Sequence, residues 1–99
     1  MKKSYFILLV LLLQACESPP VRREEMIAEN PQWNKEAVAV IRQGFILKGM
    51  STDQVRAAWG RPCILCPGTT KGDWGESWEY QTQIVFFDKQ GNVVSWKKK

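Results

Sequence analysis

The chain has 99 residues and a formal net charge of +4, with 14 Lys and Arg residues against 10 Asp and Glu residues. Its three cysteines are accompanied by no histidine, which excludes catalysis by a Ser-His or Cys-His pair. A chain of this length holds at most one domain.

The first fifteen residues have the pattern of a secretory signal. Met1-Lys2-Lys3 is a short basic segment, and residues 5–13 are nearly all apolar, a run too short to span a bilayer comfortably as a mature helix. The segment closes with Leu13-Gln14-Ala15-Cys16, which resembles a bacterial lipobox. The resemblance implies cleavage before Cys16 and acylation of its thiol and of the new amino group. The alternative is an uncleaved anchor followed by an ordinary buried cysteine.

The expected location is the outer membrane, lipid-anchored at Cys16 and facing the periplasm. Glu17 differs from the aspartate that retains such lipoproteins in the inner membrane, and several acyl chains anchor far more strongly than one. Cleavage removes Lys2 and Lys3, which lowers the count of Lys and Arg from 14 to 12. The compartment excludes nucleic acid as a partner. Residues 97–99, all lysine, are expected to form a solvated tail or to touch anionic lipid headgroups.

The segment after the cysteine is predicted to be a tether. Residues 16–29 begin with a polar, proline-containing stretch, and residues 22–29 are expected to form a helical turn or two or to stay irregular. The domain proper is predicted to cover residues 30–97. Its first helix is expected to start at Asn30-Pro31 and to end at Gly44.

A second helix is predicted to follow the Ser51-Thr52-Asp53-Gln54 segment, which has the pattern of a capping box. Gly60 and Pro62 stop this helix, and residues 63–75 read as a glycine-containing loop. After the loop the apolar period changes from helical spacing to two, which is typical of strands.

Three strands are predicted at the C-terminal end. Trp78 and Tyr80 share one face of the first, residues 83–87 form the second, and residues 93–97 form the third after a turn at 88–92. The predicted fold is therefore α+β, with two N-terminal helices packed on one face of a three-stranded antiparallel meander.

The tryptophans supply much of the predicted core, because each aromatic side chain buries about 150–250 Å². Trp33, Trp59, Trp78 and Trp96 each fall on a predicted apolar face. Trp74 lies in the glycine loop and is the better candidate for an exposed contact.

Cys63 and Cys66 form a C-x-x-C pair, a pattern found in thiol-disulfide catalysts, in metal sites and in structural disulfides. A thiol-disulfide catalyst has such a pair at a helix N-terminus, where the dipole lowers the thiol pKa, but here the pair follows the end of a helix. A zinc site needs at least three protein ligands, and Cys16 is expected to be acylated. A structural disulfide in an oxidising compartment is the preferred interpretation. Free or partner-linked thiols and a redox or metal role stay open as alternatives.

Other catalytic patterns are missing. Glu76 and Glu79 are three residues apart in a predicted strand, which places them on opposite faces. The glycines of the loop are followed neither by a helix nor by the Gly-Lys-Ser/Thr of a phosphate loop. We expect no catalytic residue, metal, cofactor or small-molecule substrate, and hence a protein that is not an enzyme.

Several motifs between residues 41 and 96 resemble one family. They are Gly49-Met50-Ser51, Gln54-Val55, Trp59-Gly60 with Pro62, the aromatic strand at 78–80, and the F-x-x-x-G-x-V hairpin from Phe87 to Val93. Together with the lipobox, this pattern resembles the SmpA/OmlA (BamE-like) family of small outer-membrane lipoproteins. The resemblance implies a binding or scaffold role in envelope or β-barrel assembly. Similar folds occur in secreted inhibitors of β-lactamases.

The predicted function is protein binding, with barrel-assembly subunits as possible partners. Candidate contact residues are Phe45, Lys48, Trp74 and Phe87, and a core position for Phe45 or Phe87 is the open alternative. The main alternative is an inhibitor of a periplasmic enzyme that uses the loop around Trp74. A third hypothesis is thiol exchange through Cys63 and Cys66.

Overall fold

The computed structural model describes residues 18–99, so Cys16 and the predicted signal segment lie outside the described residues. In this part of the chain three helices precede one antiparallel sheet with strand order β1-β2-β3-β4. The elements are α1 (Pro19–Glu29), α2 (Lys35–Arg42), α3 (Thr52–Trp59), β1 (Thr70–Gly72), β2 (Gly75–Glu79), β3 (Gln83–Phe87) and β4 (Val93–Lys98). The α+β class is confirmed, whereas the predicted count of three strands is wrong by one.

Helix α1 corrects the prediction of a tether with at most a turn or two of helix. It runs for 11 residues, and its Met26 and Ile27 side chains pack against the core. The local signal is proline at the first two helical positions after Ser18, although Ser18 makes no side-chain capping bond. Helix α1 is stabilised by contacts with α3 that are distant in sequence, as is common for helices in proteins.

Helix α2 begins four residues later than the Asn30-Pro31 signal predicts. Asn34 is the N-cap, and its side-chain oxygen accepts a hydrogen bond from the Ala37 amide at 2.7 Å. Asn30 instead ends α1, where its side-chain amide donates to the Met26 carbonyl at 2.8 Å. Asparagine is common at both ends of helices, and Asn30 ends α1 instead of starting the next helix.

Helix α3 forms as the sequence predicts. The Ser51 hydroxyl accepts from the Gln54 amide at 3.2 Å, and the Gln54 side chain accepts from the Ser51 amide at 3.0 Å. Gly60 follows the last helical residue with a φ of +82°, a conformation that favours glycine.

The additional strand comes from a tight hairpin inside the predicted loop. Gly72 and Gly75 are paired across it, with only Asp73 and Trp74 in the turn. All three residues of β1 are exposed, so the sequence lacks the alternation of apolar and polar side chains that predicts a strand. The predicted bounds of β3 are confirmed, and β4 extends one residue further than predicted.

The core lies between the helices and one face of the sheet. Val85 and Phe87 alternate along β3 on this inner face, and the Trp78 ring lies 4.7 Å from the Phe87 ring, centroid to centroid. Helices α2 and α3 cover them with Ile41 and Val55, both fully buried. Because every buried core residue lies between Ala37 and Val93, the described part of the chain carries its own core, as an independently folding unit does.

Three of the four tryptophans assigned to the core contact it. Trp78 is buried, and Trp33 and Trp59 are partly buried against the core cluster. Trp96 corrects the prediction, because its side chain is 37% exposed. It is paired with Val85 on the inner face, but β4 is the edge of the sheet.

Candidate partner-binding site

Three of the four predicted contact residues lie on the surface. Phe45 and Lys48 are exposed in the connection between α2 and α3, and Trp74 is 53% exposed in the β1–β2 turn. Phe87 is a correction, because only 1% of it is exposed. It points inward with Val85, two residues earlier on the same strand, and belongs to the core.

The exposed candidates have different neighbours and do not form one patch. Phe45 follows Gly44, whose carbonyl accepts a hydrogen bond from the Trp59 indole at 2.8 Å, at the C-terminal end of α3. Lys48 precedes Gly49, whose amide donates to the Val93 carbonyl at 2.8 Å, at the start of β4. Trp74 lies against Gly72 in its own hairpin.

The outer edge of β4 is a surface that sequence reasoning missed. The Val93 amide and carbonyl are paired with Met50 and Gly49, but within residues 18–99 no strand pairs with the rest of this edge. The Lys99 amide donates to the Thr82 carbonyl at 3.0 Å. Because backbone groups in a strand alternate in direction, the peptide groups of Lys98 and Trp96 point away from the sheet.

The side chains along this edge are apolar and basic. Val94 and Trp96 are both exposed, and residues 97–99 are lysines. The Lys97 ammonium lies 5.9 Å from the Phe86 ring centroid on the outer face. An open edge of this kind can pair with an extended segment of another chain, and its lysines favour an acidic one. The position of β4 at the end of a meander was the signal in the sequence, since a last strand is an edge strand.

Two arginines from α1 bind the C-terminal end of α3. Arg23 donates through Nε and Nη2 to the Ala58 carbonyl at 3.1 and 3.0 Å. Arg22 donates to the Ala57 and Ala58 carbonyls at 3.2 and 3.1 Å. These carbonyls carry the partial negative charge of a helix C-terminus. The two guanidinium groups therefore join α1 to α3.

Glu79 links three segments near the end of β2. Its carboxylate accepts from the Lys99 ammonium and from the Gly68 amide, both at 2.8 Å. The hydrogen bond from Lys99, followed by that from the Gly68 backbone, lowers the pKa of Glu79. The next residue, Tyr80, donates its hydroxyl to the Gly60 carbonyl at 2.8 Å, and burial raises the pKa of this hydroxyl.

The two loop cysteines lie at disulfide distance, with their Cα atoms 5.4 Å apart. The Cys66 amide also donates to the Cys63 carbonyl at 3.3 Å, which closes a tight turn. The pair follows α3 and starts none of the helices of residues 18–99, so it lacks the position at a helix N-terminus that lowers the pKa of a catalytic thiol.

Residues 18–99 contain no group of three or more His, Cys, Asp or Glu side chains placed to share a metal ion. They also contain no helix long and apolar enough to cross a membrane.

Comparisons of the chain with models of protein families, with curated proteins and with solved structures find no match.

Proposed function

We propose that this protein is an outer-membrane-anchored periplasmic lipoprotein that binds another protein and serves as a scaffold component in envelope or β-barrel assembly. The lipobox ending at Cys16 supports the anchor, and the similarity to the SmpA/OmlA (BamE-like) family supports the assembly role. The observation that carries the proposal is the open edge of β4 with Val94 and Trp96 exposed on it.

The backbone of β4 is fixed on its inner side by hydrogen bonds, which leaves the outer edge in an extended conformation that a partner strand can pair with. Strand β4 is paired along β3, and the bonds of Val93 to Met50 and Gly49 fix its start. A partner strand would therefore meet a rigid template, which lowers the entropic cost of association. Main-chain hydrogen bonds would provide affinity, and Trp96 would provide an aromatic anchor of the kind enriched at interfaces.

The experiment is in-cell crosslinking of a tagged chain, followed by mass spectrometry of outer-membrane fractions. Trp96→Ala removes the anchor side chain. Lys98→Pro removes one outward amide and leaves the pairing with β3 possible, whereas Lys98→Ala keeps that amide and is the matched control. We expect the same partner, such as a barrel-assembly subunit, to be lost from Trp96→Ala and Lys98→Pro and kept by Lys98→Ala. Equal recovery from all variants would contradict the proposal.

A second candidate function is inhibition of a periplasmic enzyme. The β1–β2 hairpin presents Trp74 at its tip, 53% exposed, a shape that can enter an active-site cleft. If this function is correct, one soluble periplasmic enzyme is recovered with the chain in equal molar amount. The Trp74→Ala variant should lose this enzyme, whereas the Trp96→Ala variant should keep it.

A further inference from the structure

A four-residue disulfide ring displays two aliphatic side chains to solvent. Ile64 is 68% exposed and Leu65 is 96% exposed, and the ring closed by Cys63 and Cys66 holds both in one turn. We call Ile64 and Leu65 the aliphatic tip. Leucine contributes little to folding at such a position, because burial is the source of its stabilisation.

The aliphatic tip lies at one particular end of the sheet. The Cys63 amide donates to the Glu79 carbonyl at 2.8 Å, so the ring is fixed where β2 finishes. The Lys99 ammonium contacts the Glu79 carboxylate. We call this end, where β2 and β4 finish and β3 begins, the anchor end.

The N-terminus of the described chain is at the same end. Pro19 and the two arginines of α1 line an open cleft of about 410 Å³ whose other wall includes residues 80–83, the turn between β2 and β3. Ser18 precedes α1 directly, and Cys16 is two residues earlier in the sequence. Two residues span at most about 7 Å when fully extended, so a lipid on Cys16 would keep the anchor end close to the bilayer.

Basic residues accompany the tip at the anchor end. Arg61 is exposed two residues before the ring, and Lys98 is exposed at the end of β4 opposite Gln83, whereas the Lys99 ammonium is already paired with the Glu79 carboxylate. The acidic residues of α1, by contrast, lie from Glu24 onward, away from its first turn. Basic side chains next to an aliphatic tip are the combination that an anionic phospholipid surface favours.

We propose that the anchor end docks on an anionic phospholipid surface, with Ile64 and Leu65 inserted among the lipids and Arg61 and Lys98 on the headgroups. This inference rests on the proposed lipidation of Cys16 for its orientation. It leaves the edge of β4 upright on the membrane, where a partner protein can reach it.

The test measures co-sedimentation of purified residues 18–99 with vesicles of phosphatidylethanolamine and phosphatidylglycerol, and with vesicles of phosphatidylcholine alone. This part of the chain carries the whole described core and neither a lipid nor a partner, so a wrong assignment of the β4 edge does not affect the result. We expect binding to the anionic vesicles that weakens with added salt and little binding to phosphatidylcholine.

Two variants and two matched controls separate the aliphatic and basic contributions. Leu65→Ser should weaken binding about tenfold, whereas Val94→Ser, an exposed aliphatic on β4, should not. Arg61→Glu should weaken it about fivefold or more, whereas Lys89→Glu, in the turn at the opposite end of the sheet, should have a smaller effect. Circular dichroism of each variant shows that the fold is kept.

Two outcomes would overturn the proposal. One is that residues 18–99 do not bind anionic vesicles, or that Leu65→Ser binds as well as Val94→Ser. The other is that a photo-crosslinker in place of Leu65 in the lipidated protein captures a protein and no lipid, which would make the tip a protein contact.

Discussion

Removing the two arginines that join α1 to α3 should destabilise the protein in a non-additive way. Arg23 makes two hydrogen bonds to the Ala58 carbonyl, and Arg22 makes one bond each to the Ala57 and Ala58 carbonyls. Replacing either arginine by methionine keeps most of the aliphatic stem and removes the guanidinium group. We therefore consider Arg22→Met, Arg23→Met and the double variant.

The magnitude follows from which carbonyls lose their donors. A hydrogen bond from a charged donor contributes about 1.5–3 kcal/mol net, and two bonds to one acceptor do not add fully. Arg23→Met leaves Ala58 bonded to Arg22, so we expect a loss of about 1–2 kcal/mol. The double variant leaves both carbonyls without these donors at a helix end, and we expect about 3–5 kcal/mol. This loss lowers Tm by roughly 15 °C or more.

The assay is urea unfolding of residues 18–99 followed by tryptophan fluorescence, with the coupling energy taken from the double-mutant cycle. The control is Arg42→Met, which removes an ion pair with Glu24 in which both side chains are more than half exposed. It should have a much smaller effect than either single variant. If the double variant is no less stable than Arg42→Met, or if the two single effects simply add, the arginine contacts do not join α1 to α3 as described.

Three further predictions concern positions of known geometry. Gly75→Ala should prevent or strongly impair folding, because the added methyl group would overlap the Phe87 carbonyl oxygen. Gly49→Ala is the control, because no atom lies within 4 Å of the added methyl group, and this variant should still fold despite a φ of +89°. Equal melting temperatures for the two variants would contradict this prediction. Phe87→Ala should cost about 3–5 kcal/mol in chemical unfolding, and a loss below about 1 kcal/mol, the typical cost of a point mutation at any position, would place Phe87 outside the core. The hydrogen bond from Lys99 lowers the pKa of Glu79 from its ordinary value of 4.5. The ionised carboxylate therefore stabilises the folded protein fully at pH values above 4.5, and this stabilisation is lost as the pH falls through the pKa of Glu79 in the folded state. Glu79→Gln should remove that acid-dependent part, and an unchanged pH profile of the unfolding free energy would contradict the contact with Lys99.

Local signals predicted the elements whose ends are fixed by nearby residues. The capping box of Ser51 and Gln54 placed α3 correctly, and Gly60 ended it. The dense β-branched and aromatic run gave β3 with its correct bounds. For α3 the stabilising contact lies within a few residues in sequence, and for β3 the composition of the strand itself is the signal.

The sequence was less informative where distant residues decide. Helix α1 depends on bonds between residues 35 or 36 positions apart, which leave no periodic pattern. Apolar spacing alone assigned Trp96 to the core, although the end position of β4 in the predicted meander already indicated an edge strand. The contacts that bring Cys63, Glu79 and Lys99 together at the anchor end join residues distant in sequence, so no local pattern predicts them.

Partner binding along β4 is tested most directly by a photo-crosslinking residue in place of Val94 in the lipidated protein, compared in living cells with the same residue in place of Gln90. Val94 is exposed on β4 beside the proposed anchor Trp96, which this change keeps, and Gln90 is exposed in the β3–β4 turn, away from the open edge. We expect one protein of the outer-membrane fraction to be crosslinked from position 94 and not from position 90. Crosslinks that are absent at position 94, or equal at both positions, would contradict partner binding along β4.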